Sequence, residues 1–139
     1  MFGLFVISPF IFLGFAMVAA PGAAGPIVWQ TDEAAALAEA RAKTKPVLID
    51  FGAAWCTACK ELEHETFPDA AVRAAAARFV AVHVDGTDDE AATYKALAMK
   101  YKVTGLPVLV LLDSSGKEVA RYNEFVKAEP FAAALKSVK

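Results

Sequence analysis

The chain is short of cysteine, of histidine and, over its first thirty-one residues, of any charge. Its 139 residues include two cysteines and two histidines, and no Lys, Arg, Asp or Glu precedes Asp32. Two cysteines exclude a scaffold held by several disulfides. They leave one redox pair, one structural bridge or half of a metal site. A structural zinc needs four ligands, and the other candidates, His64 and His83, stand at no recognised spacing from the cysteines. Basic residues number 14 against 16 acidic ones, a net charge of −2, and no basic cluster interleaves with aromatics. That excludes a nucleic-acid surface of the usual basic kind.

The uncharged start is itself a feature. Phe2 to Ala20 is rich in Phe, Leu, Ile and Val. As a helix it would be about 28 Å long, close to the hydrocarbon core of a bilayer. Pro9 would kink it, which membrane helices tolerate. We expect residues 1–20 to form a membrane segment. A signal peptide would explain Ala19-Ala20-Pro21, although no basic segment leads it, and a buried core helix is the third reading. No Lys or Arg flanks the run, so the positive-inside rule does not orient it. Pro21-Gly22-Ala23-Ala24-Gly25-Pro26 reads as a linker over 21–26. One domain then occupies 27–139, long enough to bury a single core.

Within that domain, Thr31 is expected to cap an Ala-rich helix running to Ala42, with Asp32 and Glu33 in its first turn. Val47 to Phe51 is a nearly continuous apolar run, as in a strand buried on both faces. A helix follows from Cys56 to about Thr66, then another over Ala70–Arg78. Phe79–Asp85 reads as a second buried strand, and Gly86-Thr87-Asp88-Asp89 as a turn that caps the next helix. In that helix Tyr94, Leu97, Ala98 and Tyr101 share one face. Val108–Leu112 and Lys117–Tyr122 form an expected hairpin about Asp113-Ser114-Ser115-Gly116. Phe131, Ala134, Leu135 and Val138 give the last helix its apolar face. Helices alternating with strands, then a hairpin, predict an α/β fold: a mixed central sheet with helices on both faces.

Chemistry gathers at the carboxyl ends of strands in such sheets. There, after the strand ending near Phe51, lies Trp55-Cys56-Thr57-Ala58-Cys59-Lys60. Cys-x-x-Cys opening a helix puts Cys56 at the helix N-terminus, where free N–H groups favour a thiolate. Cys59 lies about one turn further in. The spacing lets the sulfurs close a disulfide, with Cys56 attacking a partner and Cys59 resolving the mixed disulfide. A bland structural bridge and a metal clip stay open. Trp55 would shield the pair and offer a flat contact surface. Asp50 interrupts an apolar strand and is either a satisfied strand-end carboxylate or the proton acceptor and donor for Cys59. Glu63, one turn past Cys59, either shares that role or is a solvated helix residue. Leu106-Pro107 precedes the third strand. A cis bond there would present the Leu106 backbone to a substrate strand, although trans is the commoner state of such a bond.

These residues resemble the thioredoxin superfamily. Trp-Cys-x-Ala-Cys-Lys, then Glu61-Leu62-Glu63, Thr66-Phe67, Val72, the later Gly105-Leu106-Pro107 and the entry Trp29-Gln30-Thr31-Asp32-Glu33 are similar to one branch, the C-terminal periplasmic domain of DsbD-type thiol:disulfide interchange proteins. The likeness covers roughly residues 29–138. It implies a thioredoxin fold and a protein-disulfide reductase with no cofactor beyond the redox-active Cys56–Cys59 disulfide. It further implies that Cys56 is the nucleophile, Cys59 the resolving thiol, Asp50 and Glu63 the modulating carboxylates, and Pro107 a cis-proline. The implied location is the bacterial inner membrane, with the thioredoxin-like domain in the periplasm. The implied partners are a membrane electron donor and periplasmic disulfide-containing proteins of the isomerase or cytochrome c maturation thioredoxin type. Gly52 and Ala54 depart from the pattern, standing where relatives often carry an aromatic and an Asp, and Glu124 replaces a common Gly. A single apolar segment is also less than a membrane relay. The chain is expected to be either the tail of a longer protein or an anchored thioredoxin fed by a separate donor.

Overall fold

The structure, a computed structural model, describes residues 23–139. The expected membrane segment over 1–20 lies outside the described residues. Among those described, no helix is long and apolar enough to cross a membrane.

Eleven elements follow the chain. They are β1 (Trp29–Gln30), α1 (Glu33–Lys43), β2 (Val47–Gly52), α2 (Thr57–Glu61) with a π turn (Leu62–Thr66), α3 (Ala70–Ala76), β3 (Val80–Asp85), α4 (Ala92–Lys100), β4 (Val108–Leu112), β5 (Glu118–Tyr122) and α5 (Ala128–Ser137). The sheet order is β1-β3-β2-β4-β5. β3 runs parallel to β1 and β2, whereas β4 is antiparallel to both β2 and β5. The mixed sheet is therefore as expected, and it is extended at one edge by β1.

Alternation along β2 sorts the core into two layers. Val47, Ile49 and Phe51 point to one face, with Val80, Val82, Val84, Ala36, Ala40 and Tyr101. Leu48 points to the other, packing with Leu62, Phe67, Val72, Phe131 and Leu135. Burial of all six β2 residues explains why the run reads as continuously apolar. Asp50 is the exception, and it shares the Leu48 face.

Local chemistry sets the boundaries. The cap of α1 is Asp32 rather than Thr31, its Oδ1 accepting from Ala35 N at 3.0 Å. The Asp32 carboxylate, one residue later, reaches the free amide of the first turn. Thr44 ends α1 in a left-handed conformation (φ 51°), with its N–H and that of Lys45 bonded back to the last turn. The helix after the cysteines is not α throughout. Phe67 N donates to Leu62 O at 2.8 Å, one residue wider than an α bond. Thr66 is fully buried there and donates its hydroxyl to Val126 O at 2.6 Å, tying the π turn to the approach to α5. α4 begins at Ala92 with no side-chain cap, so the turn Gly86–Asp89 does not cap it. In the β4–β5 turn, Asp113 Oδ1 accepts from Ser115 N, Ser115 Oγ and Lys117 N, and Gly116 takes φ +87°, which glycine tolerates best.

Candidate redox site

Strand β2 delivers the chain to the carboxyl edge of the sheet, and the loop Ala53–Trp55 turns it into α2. Cys56 is the N-cap of α2, and its Sγ accepts from Cys59 N at 3.2 Å. The two sulfurs are joined, with Cα atoms 5.2 Å apart. Both cysteines are nearly buried, at 6% and 4% exposure, packed with Ala53, Ala58 and Leu106. Trp55 is 59% exposed beside them. An exposed indole next in sequence to a closed disulfide offers an incoming chain an apolar landing surface.

A small polar frame holds this loop. Asp85 Oδ1, at the end of β3, accepts from Thr87 N at 2.9 Å and from Thr87 Oγ1 at 2.5 Å. Thr87 Oγ1 in turn accepts from Ala54 N at 2.9 Å, and Thr87 O accepts from Trp55 Nε1 at 3.1 Å. The hydrogen bonds from Thr87 hold the Asp85 carboxyl below its ordinary range. What the sequence suggested as a helix cap is instead a clamp on the active loop. Gly86 sits inside that clamp because a Cβ there would fall 2.6 Å from the Tyr94 ring.

The remaining expected residues arrive by different routes. Pro107 is buried at the start of β4, and the Leu106–Pro107 bond is cis. Leu106 packs against the cysteines and is half-buried. Asp50 is 5% exposed, and its Oδ2 lies 2.9 Å from His83 Nδ1. With the carboxylate ionised, the imidazole N–H is the donor. Parallel pairing of β2 with β3 sets these two residues opposite each other. Glu63 is exposed on the π turn and lines a groove with Trp29, Phe67 and Arg73. No hydrogen bond joins it to a cysteine among the described residues. Its charge does reach His83.

His83 is the residue that sequence reasoning missed, having weighed it only as a metal ligand. Its protonated form is favoured: the hydrogen bond to Asp50 raises its pKa most, with further help from the charges of Asp50, Asp85 and Glu63, against an opposing effect of burial. The available signal was the alternation Val80-Ala81-Val82-His83, which puts His83 on the face opposite Val80 and Val82.

A Cys-x-x-Cys capping a helix, set on a mixed α/β sheet and backed by a cis-proline loop, defines a thiol–disulfide exchange site of the thioredoxin class. The comparisons agree. The Thioredoxin-like domain family matches residues 33–139, and the chain belongs to that family. It is 40% identical over 104 residues to the thiol:disulfide interchange protein DsbD of Pseudoalteromonas atlantica, a match covering 73% of this chain and 17% of that protein. The DsbD of Ralstonia nicotianae is 40% identical over 110 residues, covering 78% and 18%. The chain thus spans under a fifth of the length of these curated relatives. Among solved structures, the C-terminal domain of Neisseria meningitidis DsbD in its oxidised form aligns with a TM-score of 0.66 at 28% identity, covering 81% of this chain and 100% of that one. A DsbH oxidoreductase aligns at 0.70 and 27%, covering 85% and 88%.

Proposed function

We propose that this chain reduces disulfides in partner proteins by dithiol–disulfide exchange through Cys56 and Cys59. In this reading it is tethered to a bacterial inner membrane by residues 1–20, with its thioredoxin-like domain in the periplasm. The observation that carries it is the Cys56–Cys59 disulfide itself, capping α2 beside an exposed Trp55 and a cis Leu106–Pro107. Reduced Cys56 attacks a sulfur of the partner's disulfide, and the other partner sulfur leaves as a thiolate. Cys59 then attacks Cys56 Sγ, the mixed disulfide breaks, and the reduced partner departs. Trp55, Leu106 and Pro107 seat the partner chain. Asp50, buried on the Cys59 side of the sheet, handles the proton of the resolving thiol, and Glu63 adds negative charge at the margin. A membrane protein returns the two electrons, and periplasmic disulfide proteins of the isomerase or cytochrome c maturation type receive them. The similarity to thiol:disulfide interchange proteins supports the exchange reaction at the core of this path.

Insulin-disulfide reduction by the full chain tests the core of the reading. Cys56→Ser is expected to abolish turnover, and Cys59→Ser to accumulate mixed disulfides that identify partners in the native membrane. Undiminished turnover in Cys56→Ser would sink the proposal. A native disulfide that dithiothreitol cannot reduce would instead mark a structural bridge.

A further inference from the structure

A buried carboxylate that holds a proton for a thiol must exchange that proton with water. Asp50 is too enclosed to do so directly. Its hydrogen-bond partner is not: the His83 side chain is 30% exposed while its Nδ1 lies 2.9 Å from Asp50 Oδ2. The same imidazole and the buried sulfur both flank Gly52. A Cβ built on Gly52 would sit 3.2 Å from His83 Cε1 and 3.7 Å from Cys59 Sγ. Gly52, which carries no side chain, therefore has the His83 ring and Cys59 as its two side-chain neighbours. Asp50, two residues earlier on β2, points to the same face.

We propose that His83 is a positioning residue for the exchange reaction, acting through Asp50 to hold the proton of Cys59 and pass it to water. This deepens the redox reading above and rests on it. In the resolving step the Cys59 S–H bond breaks and its electron pair stays on sulfur. Above the raised pKa of His83, where its ring is neutral, the proton joins the Asp50–His83 pair, which goes from carboxylate plus neutral imidazole to carboxylate plus imidazolium. The thiolate then attacks Cys56 Sγ, the bond from Cys56 to the partner breaks, and the partner leaves as a thiolate. The imidazolium returns its proton to water from the exposed side of the ring. No other oxidant or reductant enters.

The surroundings suit an imidazolium. From β2, Asp50 faces the ring, and from its own strand β3, Asp85 adds a negative charge. Glu63 does the same from the π turn. β1 contributes the Trp29 ring, edge-on at 6.4 Å between centroids, and α3 sets Arg73 along the groove that Trp29 and Glu63 share. Three carboxylates against one arginine favour the charged ring. The upward displacement of the His83 pKa agrees with that count. His83 therefore changes charge above the ordinary histidine value of about 6.5.

The test separates the two thiols. Reduced full-length chain is mixed with 5,5′-dithiobis(2-nitrobenzoate), which releases one thionitrobenzoate when Cys56 attacks and a second when Cys59 resolves the adduct. Both phases are followed by absorbance from pH 5.5 to 9. In the wild-type chain the second phase is expected to inflect above about pH 6.5. His83→Gln should remove that inflection and slow the second phase about tenfold or more at neutral pH, with the first phase little changed. His83→Lys, which keeps a cation beside Asp50 but does not titrate near neutrality, should also lose the inflection. An inflection that persists in His83→Gln overturns the proposal and leaves the redox reading intact. No two-step release from the wild-type chain overturns both. Should the variants fold poorly, the wild-type imidazole can be titrated by NMR. A His83 midpoint that differs between the oxidised and reduced chain supports the proposal, and identical midpoints overturn it.

Discussion

Two carboxylates are buried in this domain, on opposite faces of the sheet, and they are held in different ways. Glu33 opens α1 at 7% exposure, and its Oε1 accepts from the Tyr101 hydroxyl and from Lys100 Nζ. Lysine and tyrosine ordinarily keep their protons well past neutrality. Burial and the Glu33 charge push Tyr101 further up still. The Tyr101 hydroxyl therefore stays a donor to Glu33 well past neutrality. Asp50 is as deeply buried, but its side-chain partner is a histidine, the residue type that changes charge near neutrality. A carboxylate is made structural or chemical less by its own burial than by whether its partner can give up a proton.

Breaking each carboxylate in turn should separate the two kinds of effect. Asp50→Asn keeps the shape but removes the proton acceptor. It is expected to slow resolution by Cys59 roughly a hundredfold at neutral pH and to flatten its pH–rate profile. A profile that superposes on the wild type would remove Asp50 from the mechanism. Glu33→Gln, on the other face, should leave both exchange phases where they were.

Stability should respond the other way. Glu33→Ala orphans the Tyr101 hydroxyl in the core and strips Lys100 of its partner. The loss is expected to be about 2–3 kcal/mol in urea denaturation, because hydrogen bonds to charged groups and buried unpaired donors both count. Exchange rates per folded molecule should not move. If they fell with stability, the faces would be coupled and the contrast between the carboxylates would fail.

The contrast was only partly legible in the sequence. Val47–Phe51, Val108–Leu112 and the face Phe131–Leu135 announce themselves because burial on a regular element leaves a periodic trace. Trp29–Gln30 left none: a two-residue edge strand is made by its pairing with Ala81 and Val82, not by its own composition. The π turn Leu62–Thr66 differs from α-helix by one residue of hydrogen-bond reach, which no residue type signals. At the site, the cysteines, Trp55, Asp50 and Pro107 could be picked out by type and spacing. His83 and Thr87 could not. Their roles depend on the register of β3 against β2 and on where the loop after β3 lands, and alternation alone specifies neither.

Asp85 offers a third carboxylate for the same comparison, this time at the surface. Asp85 is held below its ordinary range by Thr87 hydrogen bonds rather than by burial. Thr87→Val removes the hydroxyl shared by Asp85 and Ala54 N. Asp85 should titrate closer to an ordinary aspartate, as read by carboxyl NMR shifts. The stability cost should be about 1 kcal/mol, the net worth of ordinary hydrogen bonds near solvent. A loss as large as that of Glu33→Ala would mean that the clamp on Trp55 is part of the core rather than a surface latch.

The smallest effect is also the one whose sign is most diagnostic. In the folded chain His83 binds its proton more tightly than an unfolded histidine, whose pKa is about 6.5. The folded state therefore holds more proton between those two values. By linkage, the stabilisation from the Asp50–His83 pair is complete below about pH 6.5 and fades as pH rises through the folded value. Denaturation of the oxidised chain, whose cysteines do not titrate, should show a modest loss of stability from about pH 6.5 toward the alkaline side. His83→Gln should abolish that loss, and Glu33→Gln should leave it intact. A stability that instead rose over this interval would mean that His83 is held neutral in the fold. The pair would then be a hydrogen bond to an uncharged ring, and the two faces of the sheet would differ in residue type but not in charge behaviour.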